Sequence, residues 1–196
     1  MLNTYFCCKE RKMEKQKYSS IFIASILVLL AAISRVAMYP DNFSPMIGMA
    51  IFGGAVIKDK RMAFALPLFS MLLSDVMFEV FDIAQGFWGW GQLIGYGIFG
   101  LITVIAFSLK KFTVLNIAGY SLMSSVIFFI LSNLSFFIID NPVYHTYTQD
   151  ANGFFQCYWN ALPFFRISVV ADLVYSGLLF GIYALVQKYA FKKAMA

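Results

Sequence analysis

Ser44-Pro45-Met46-Ile47-Gly48-Met49-Ala50-Ile51-Phe52-Gly53-Gly54-Ala55-Val56-Ile57 runs straight into Lys58-Asp59-Lys60-Arg61. The first fourteen residues are almost wholly apolar, yet as a helix they reach only about 21 Å, against a hydrocarbon core of about 30 Å. The stretch is either a short crossing or a re-entrant hairpin, and the choice sets the side on which every later loop lies. The basic cluster decides it. If the stretch crosses, and the N-terminus is cytoplasmic, one side receives Lys9, Arg11, Lys12, Lys15, Lys17, Lys58, Lys60, Arg61, Lys110, Lys111, Lys188, Lys192 and Lys193. Those are thirteen of the 15 basic residues, and the loops of the other side receive none. This is the positive-inside pattern. A hairpin would turn Lys58–Arg61 outward, so a crossing is expected.

Working outward, six spans are predicted, at residues 18–39, 44–57, 62–81, 91–109, 114–139 and 162–187. Pro40 ends the first, because proline cannot continue a helix ladder. The expected fold is all-α: a polytopic membrane protein, a six-transmembrane-helix bundle in one domain, 18–187. A basic cytoplasmic segment (1–17) precedes it and a basic cytoplasmic tail (188–196) follows. The basic N-terminus precedes a full-length span without a small-residue cleavage site, so it is not read as a signal peptide. Met13 offers an alternative start.

Composition agrees. Of 196 residues, 61% are hydrophobic and 13% charged, and mean hydropathy is +0.75. Soluble domains run to about 45–50% apolar and about 25% charged. A disordered chain, a soluble enzyme and a nucleic-acid-binding domain are excluded. The net charge of +5 reads as an orientation signal and an attraction to anionic headgroups. Cys7 and Cys8 lie inside and Cys157 outside, so no structural disulfide is expected.

Five ionisable residues fall within spans: Arg35, Asp75, Glu79, Arg166 and Asp172. Each would cost about 2.5–3.5 kcal/mol facing lipid at a helix centre, so each should face the interior and find a partner. All five belong to the outer half or the midplane. Asp75 and Glu79, four apart, share a helix face and need a cation beside them. Asn133 adds an uncharged polar group at similar depth. Two readings stand: ion pairs that fix packing, Arg35–Asp75 and Arg166–Asp172, or a polar cavity, open to the outside, that binds a small solute. Arg35, Asn42, Asp75, Glu79, Asn133, Arg166 and Asp172 are the candidate substrate-binding residues.

Gly53-Gly54-Ala55 and the Gly91/Gly95 pair read as packing surfaces, since small residues let helices approach in lipid. The outer segment 140–161 is long for a connection. Its aromatics (Tyr144, Tyr147, Phe154, Phe155, Tyr158, Trp159) suit an interfacial belt or a lid over the cavity. His145, the sole histidine, has no spacing for zinc. No P-loop, His-Glu-x-x-His or Gly-x-Ser-x-Gly is present, so neither catalysis nor a cofactor is expected.

Asn42-Phe43-Ser44-Pro45, Ala50-Ile51-Phe52-Gly53-Gly54-Ala55, Leu72-Leu73-Ser74-Asp75, Ala161-Leu162-Pro163-Phe164-Phe165-Arg166 and Asp172–Gly181 resemble an uncharacterised family of bacterial six-helix membrane proteins. More loosely, Ser74-Asp75 and Gly95-Tyr96-Gly97-x-x-Gly100 resemble the substrate-binding S components of energy-coupling factor (ECF) transporters. Those proteins have six helices and both termini inside. They bind a vitamin or related micronutrient near the outer face, and their energy comes from a coupling subunit and two ATPases. The resemblance implies uptake of a small solute, those partners, and a place in the bacterial inner membrane. S components often dock the coupling subunit through Ala-x-x-x-Ala on the first helix, where this chain has Ser20-x-x-x-Ala24 and scattered Ala31 and Ala32. The rival readings are a solitary ion-coupled carrier using Asp75, Glu79 and Asp172, and a non-transport scaffold.

Overall fold

A computed structural model describes residues 21–36, 43–87 and 89–193, with side chains up to Tyr189. The basic N-terminal segment, Met13, Cys7, Cys8, Pro40 and Asn42 lie outside the described residues. The described chain is all-helical. Its helices are α1 (Ile21–Val36), α2 (Met46–Val56), α3 (Lys60–Val80), α4 (Trp90–Ala106), α5 (Val114–Ser135), α6 (Asn141–Tyr144) and α7 (Ala151–Lys193). A wider turn, Phe136–Asp140, joins α5 to α6. Three stretches are long and apolar enough to cross a membrane: Lys60–Val80, Val114–Tyr144 and Ala151–Tyr189. Helices α1, α2 and α4 are apolar but shorter.

The deciding stretch forms α2. It is buried on every side from Ile47 to Gly54 and packs against α3, α4, α5 and α7. A helix apolar all round belongs at the centre of a bundle. Its glycines sit where neighbours press closest. A Cβ on Gly54 would lie 2.5 Å from the Thr103 carbonyl oxygen, and one on Gly53 would lie 2.7 Å from Pro67 Cγ. Small residues do bring backbones together here. Met49, Ile51 and Phe52 fill the space around them, and van der Waals fit, not water exclusion, holds such packing in lipid.

The basic cluster makes a tight turn. Asp59 caps α3 by accepting the backbone N–H groups of Arg61 (2.9 Å) and Met62 (3.2 Å). Lys60 lies over the Phe107 ring, 5.5 Å from its centroid, just past the end of α4. Thr113 caps α5 by accepting from Asn116 N–H, and Phe112 meets Phe180 of α7. Lys58, Lys60, Arg61, Lys110 and Lys111 therefore gather at one end of the bundle.

Helices α5 and α7 run antiparallel. Ser121 meets Ser176, Ser125 meets Asp172, Phe129 meets Phe165 and Phe137 meets Phe154. This corrects the reading of 140–161 as one long loop. Only 145–150 is non-helical in that segment, and Ala151–Ala161 is the opening of α7. Asp150 starts that helix by accepting the Gly153 N–H (2.8 Å) and the Thr148 hydroxyl (2.7 Å). Phe154 packs on Phe137 of the wider turn and Tyr158 on Phe129 of α5, so these rings join α7 to α5 and the turn that follows it. His145, exposed, takes a left-handed conformation (φ 51°) at the end of α6. Ala24, Ala31 and Ala32 of α1 face inward into the bundle's own core.

Candidate functional site

The ionisable residues of the spans separate into a closed network and an open cavity. The network joins α1, α3 and α4. Asp75, 3% exposed, pairs through Oδ1 with Arg35 Nη1 at 2.5 Å. Its Oδ2 accepts from Gln92 Nε2 (2.9 Å) and from the Tyr96 hydroxyl (2.5 Å). Arg35 also donates to Ser74 Oγ and lies over the Phe78 ring. The loop after α3 folds back over this pair. Gln92 Nε2 donates to the Gly86 carbonyl, and Gly86 N–H donates to Glu79 Oε2. A Cβ on Gly86 would lie 2.1 Å from the Asp75 carbonyl oxygen, so only glycine allows this closure. Glu79 is exposed and satisfied by that backbone N–H. It shares no cation with Asp75.

The cavity lies on the other side of α4, towards the end of the bundle opposite the basic turns. It holds about 400 Å³. Each helix contributes one face. From α4 come Gly91, Ile94, Gly95, Ile98 and Phe99, a helical stripe at three- and four-residue steps. From α5 come Phe128, Ser132 and Asn133, and from α7 Ser168 and Asp172. Ser44, Met46 and Ile47, at the start of α2, form the floor, and Asp140 stands in the wider turn. An adjoining space of about 360 Å³ shares Asp172, Asn133 and Ser168, so Asp172 lies at the junction.

Gly95 corrects the packing expectation at its own position: a Cβ there would have nothing within 4 Å, and the residue lines the cavity, so its missing side chain leaves room.

Asp172 is 2% exposed and accepts one hydrogen bond, from Ser125 Oγ at 2.6 Å. The expected Arg166–Asp172 pair does not form. Six residues along a helix turn the chain by about 240°, which sends the two side chains to different faces. Arg166 is exposed and makes no ion pair among the described residues. Asn133 donates to the Phe129 carbonyl of its own helix while lining the cavity. Ser44 Oγ and Ser135 Oγ are buried in the cavity wall without a hydrogen-bond partner among the described residues.

Of the sequence-derived candidates, the structure thus gathers Arg35 with Asp75, and Asn133 with Asp172, in separate places. Arg166 and Glu79 lie outside both. Gln92, Tyr96, Ser125, Ser44 and Ser135 were not singled out from the sequence. A signal was present: Ser168, Asp172 and Ser176 recur every fourth residue, as do Ser121 and Ser125.

Fold and site together define a helical membrane protein with a solute-sized internal cavity that collects buried polar groups. The chain belongs to a family of unknown function, DUF6580, whose profile matches residues 15–194. No curated protein and no solved structure matches it.

Proposed function

We propose that this chain is a membrane-embedded module that binds a small solute from outside and takes part in its uptake, in the manner of ECF S components. The observation that carries this reading is the cavity: about 400 Å³, the size of small-molecule sites, with polar atoms buried in an otherwise apolar bundle. Such groups are expensive in lipid and mark solute pathways. In the proposed topology the chain crosses the bacterial inner membrane six times with both termini cytoplasmic. The gathered basic turns support this reading, because they lie at the end of the bundle away from the cavity. The short α2 crosses within a protein-lined interior, where full bilayer length is not needed. A coupling subunit and ATPases are the proposed partners. They would dock elsewhere than on Ala24, Ala31 and Ala32, which α1 turns inward.

The test compares wild-type protein with Gly95→Leu, which projects a side chain into the cavity. Native mass spectrometry of gently purified protein should show a bound small molecule that the variant lacks. Uptake should stop when partner ATPases are deleted and survive an uncoupler. The opposite dependence would favour the ion-coupled carrier. If wild type and variant both come up empty and transport alike, the uptake reading fails.

A further inference from the structure

The charges around the cavity specify its ligand more narrowly, and this inference rests on the uptake reading. Among the described residues no Lys, Arg or His lines the cavity or the adjoining space, while Asp172 and Asp140 do. Arg35, which is partly buried, is already engaged by Asp75. The starts of α2 and α4 also lie at the cavity, and each helix N-terminus adds about +0.5 of partial charge. Two carboxylates outweigh that, leaving the lining at about −1. Among the described residues Asp172 has a single hydroxyl as its hydrogen-bond partner, whereas Asp75, equally buried, has three donors. A buried carboxylate held so thinly is costly unless it takes up a proton or a cation completes it.

The rest of the wall suits an organic cation rather than a bare ion. Phe99 and Phe128 stack 5.2 Å apart and both line the cavity, as does Phe136. Phe129, Phe164 and Phe165 line the adjoining space. Aromatic faces attract cations, by about 2 kcal/mol or more when desolvated. No group of three or more metal-ligating side chains occurs among the described residues. Ser44 and Ser135, whose hydroxyls have no partner among the described residues, also border the cavity.

We propose that the cavity takes a small ammonium-bearing organic solute, with Asp172 as its counter-ion and the phenylalanines as its cage.

The test is calorimetric titration of the intact chain in lipid nanodiscs with three probes of one shape: phenethylamine (cation), phenethyl alcohol (neutral) and hydrocinnamate (anion). The amine should bind at least about tenfold more tightly than the other two. That preference should vanish in Asp172→Asn. Gly95→Leu should abolish binding, which locates it in the cavity. Equal binding of all three probes by wild type overturns the cation class and leaves the uptake reading standing. Preference for the anion overturns it too, and points to the helix N-termini. No binding of the amine at millimolar concentration also overturns it, while the native-mass comparison decides the uptake reading separately. Should Asp172→Asn fail to fold, Ser125→Ala replaces it. That variant strips the carboxylate of its internal partner, so it should keep or strengthen the preference for the amine. A preference lost there overturns the assignment to Asp172.

Discussion

Removing Arg35 tests whether the Asp75 network is a structural lock. The side chains of Arg35 and Asp75 are 16% and 4% exposed. At charge centres about 4 Å apart and an effective dielectric of about 20, their attraction is about 4 kcal/mol. Burying the two charges offsets much of that, so the intact pair adds little net stability. Breaking it is another matter. Arg35→Met leaves a buried carboxylate with only Gln92 and Tyr96, and should cost about 3–5 kcal/mol. Asp75→Asn should cost less, because Arg35 keeps Ser74 and the Phe78 face and is partly exposed already. The double variant removes both charges and should recover most of the Arg35→Met loss. Reversible unfolding in mixed micelles, read by tryptophan fluorescence, gives all four corners of the cycle. A double variant no more stable than Arg35→Met would refute the lock, because no uncompensated carboxylate would then explain the loss. Probe binding should change little in any folded member of the cycle, since neither residue lines the cavity.

Other outcomes follow from particular contacts. Gly54→Ala forces a methyl group against the Thr103 carbonyl and Ala106, and should destabilise by about 1–3 kcal/mol. Gly95→Ala, with open space around its Cβ, should leave the unfolding midpoint unchanged or slightly raised. The Asp150 carboxyl is held below the usual carboxylate range, chiefly by the Gly153 N–H and then by the Thr148 hydroxyl. A lowered folded-state pKa contributes stability above the unfolded value and loses it as pH falls through the folded one. Amide exchange in the first turn of α7 should therefore show protection lost on acidification, and Asp150→Ala should lack it at every pH.

Much of the helical order was legible, because apolar length, basic turns and capping residues act locally. The six apolar helices correspond one to one with the predicted stretches, and Asp59 and Thr113 start helices where the sequence turns. The opening of α7 was not legible. Pro163 resembles a first-turn proline, so the helix reads as beginning at 162. Asn152 and Gly153 in its true first turn look like loop residues. Gly153 is there because its backbone passes within reach of the Thr148 carbonyl; a Cβ would lie 2.0 Å from that oxygen. Partner choice was legible only where depth decides it. Arg35 and Asp75 both lie near the C-terminal ends of their helices and so come level, whereas Arg166 and Asp172 sit on one helix, about 9 Å apart along its axis and turned to different faces. The same limit hid the role of Gly95: a glycine that packs and a glycine that makes room are identical in sequence.

The cavity's form bears on its purpose. The space of about 400 Å³ opens partway to the surroundings, so it is a cleft and not a sealed void. Gly95 leaves room in it, and α2 begins late. Counting back from the contact of Gly54 with Ala106, Met46 is level with about Ile98, so α4 continues about 12 Å beyond the start of α2. Over that length no described helix occupies the place of α2. Asp172, Asn133, Ser44 and Ser135 border this gap, and polar groups make it a space that water or a polar solute can fill. The short stretch that first raised the question of crossing is thus what makes room for a ligand.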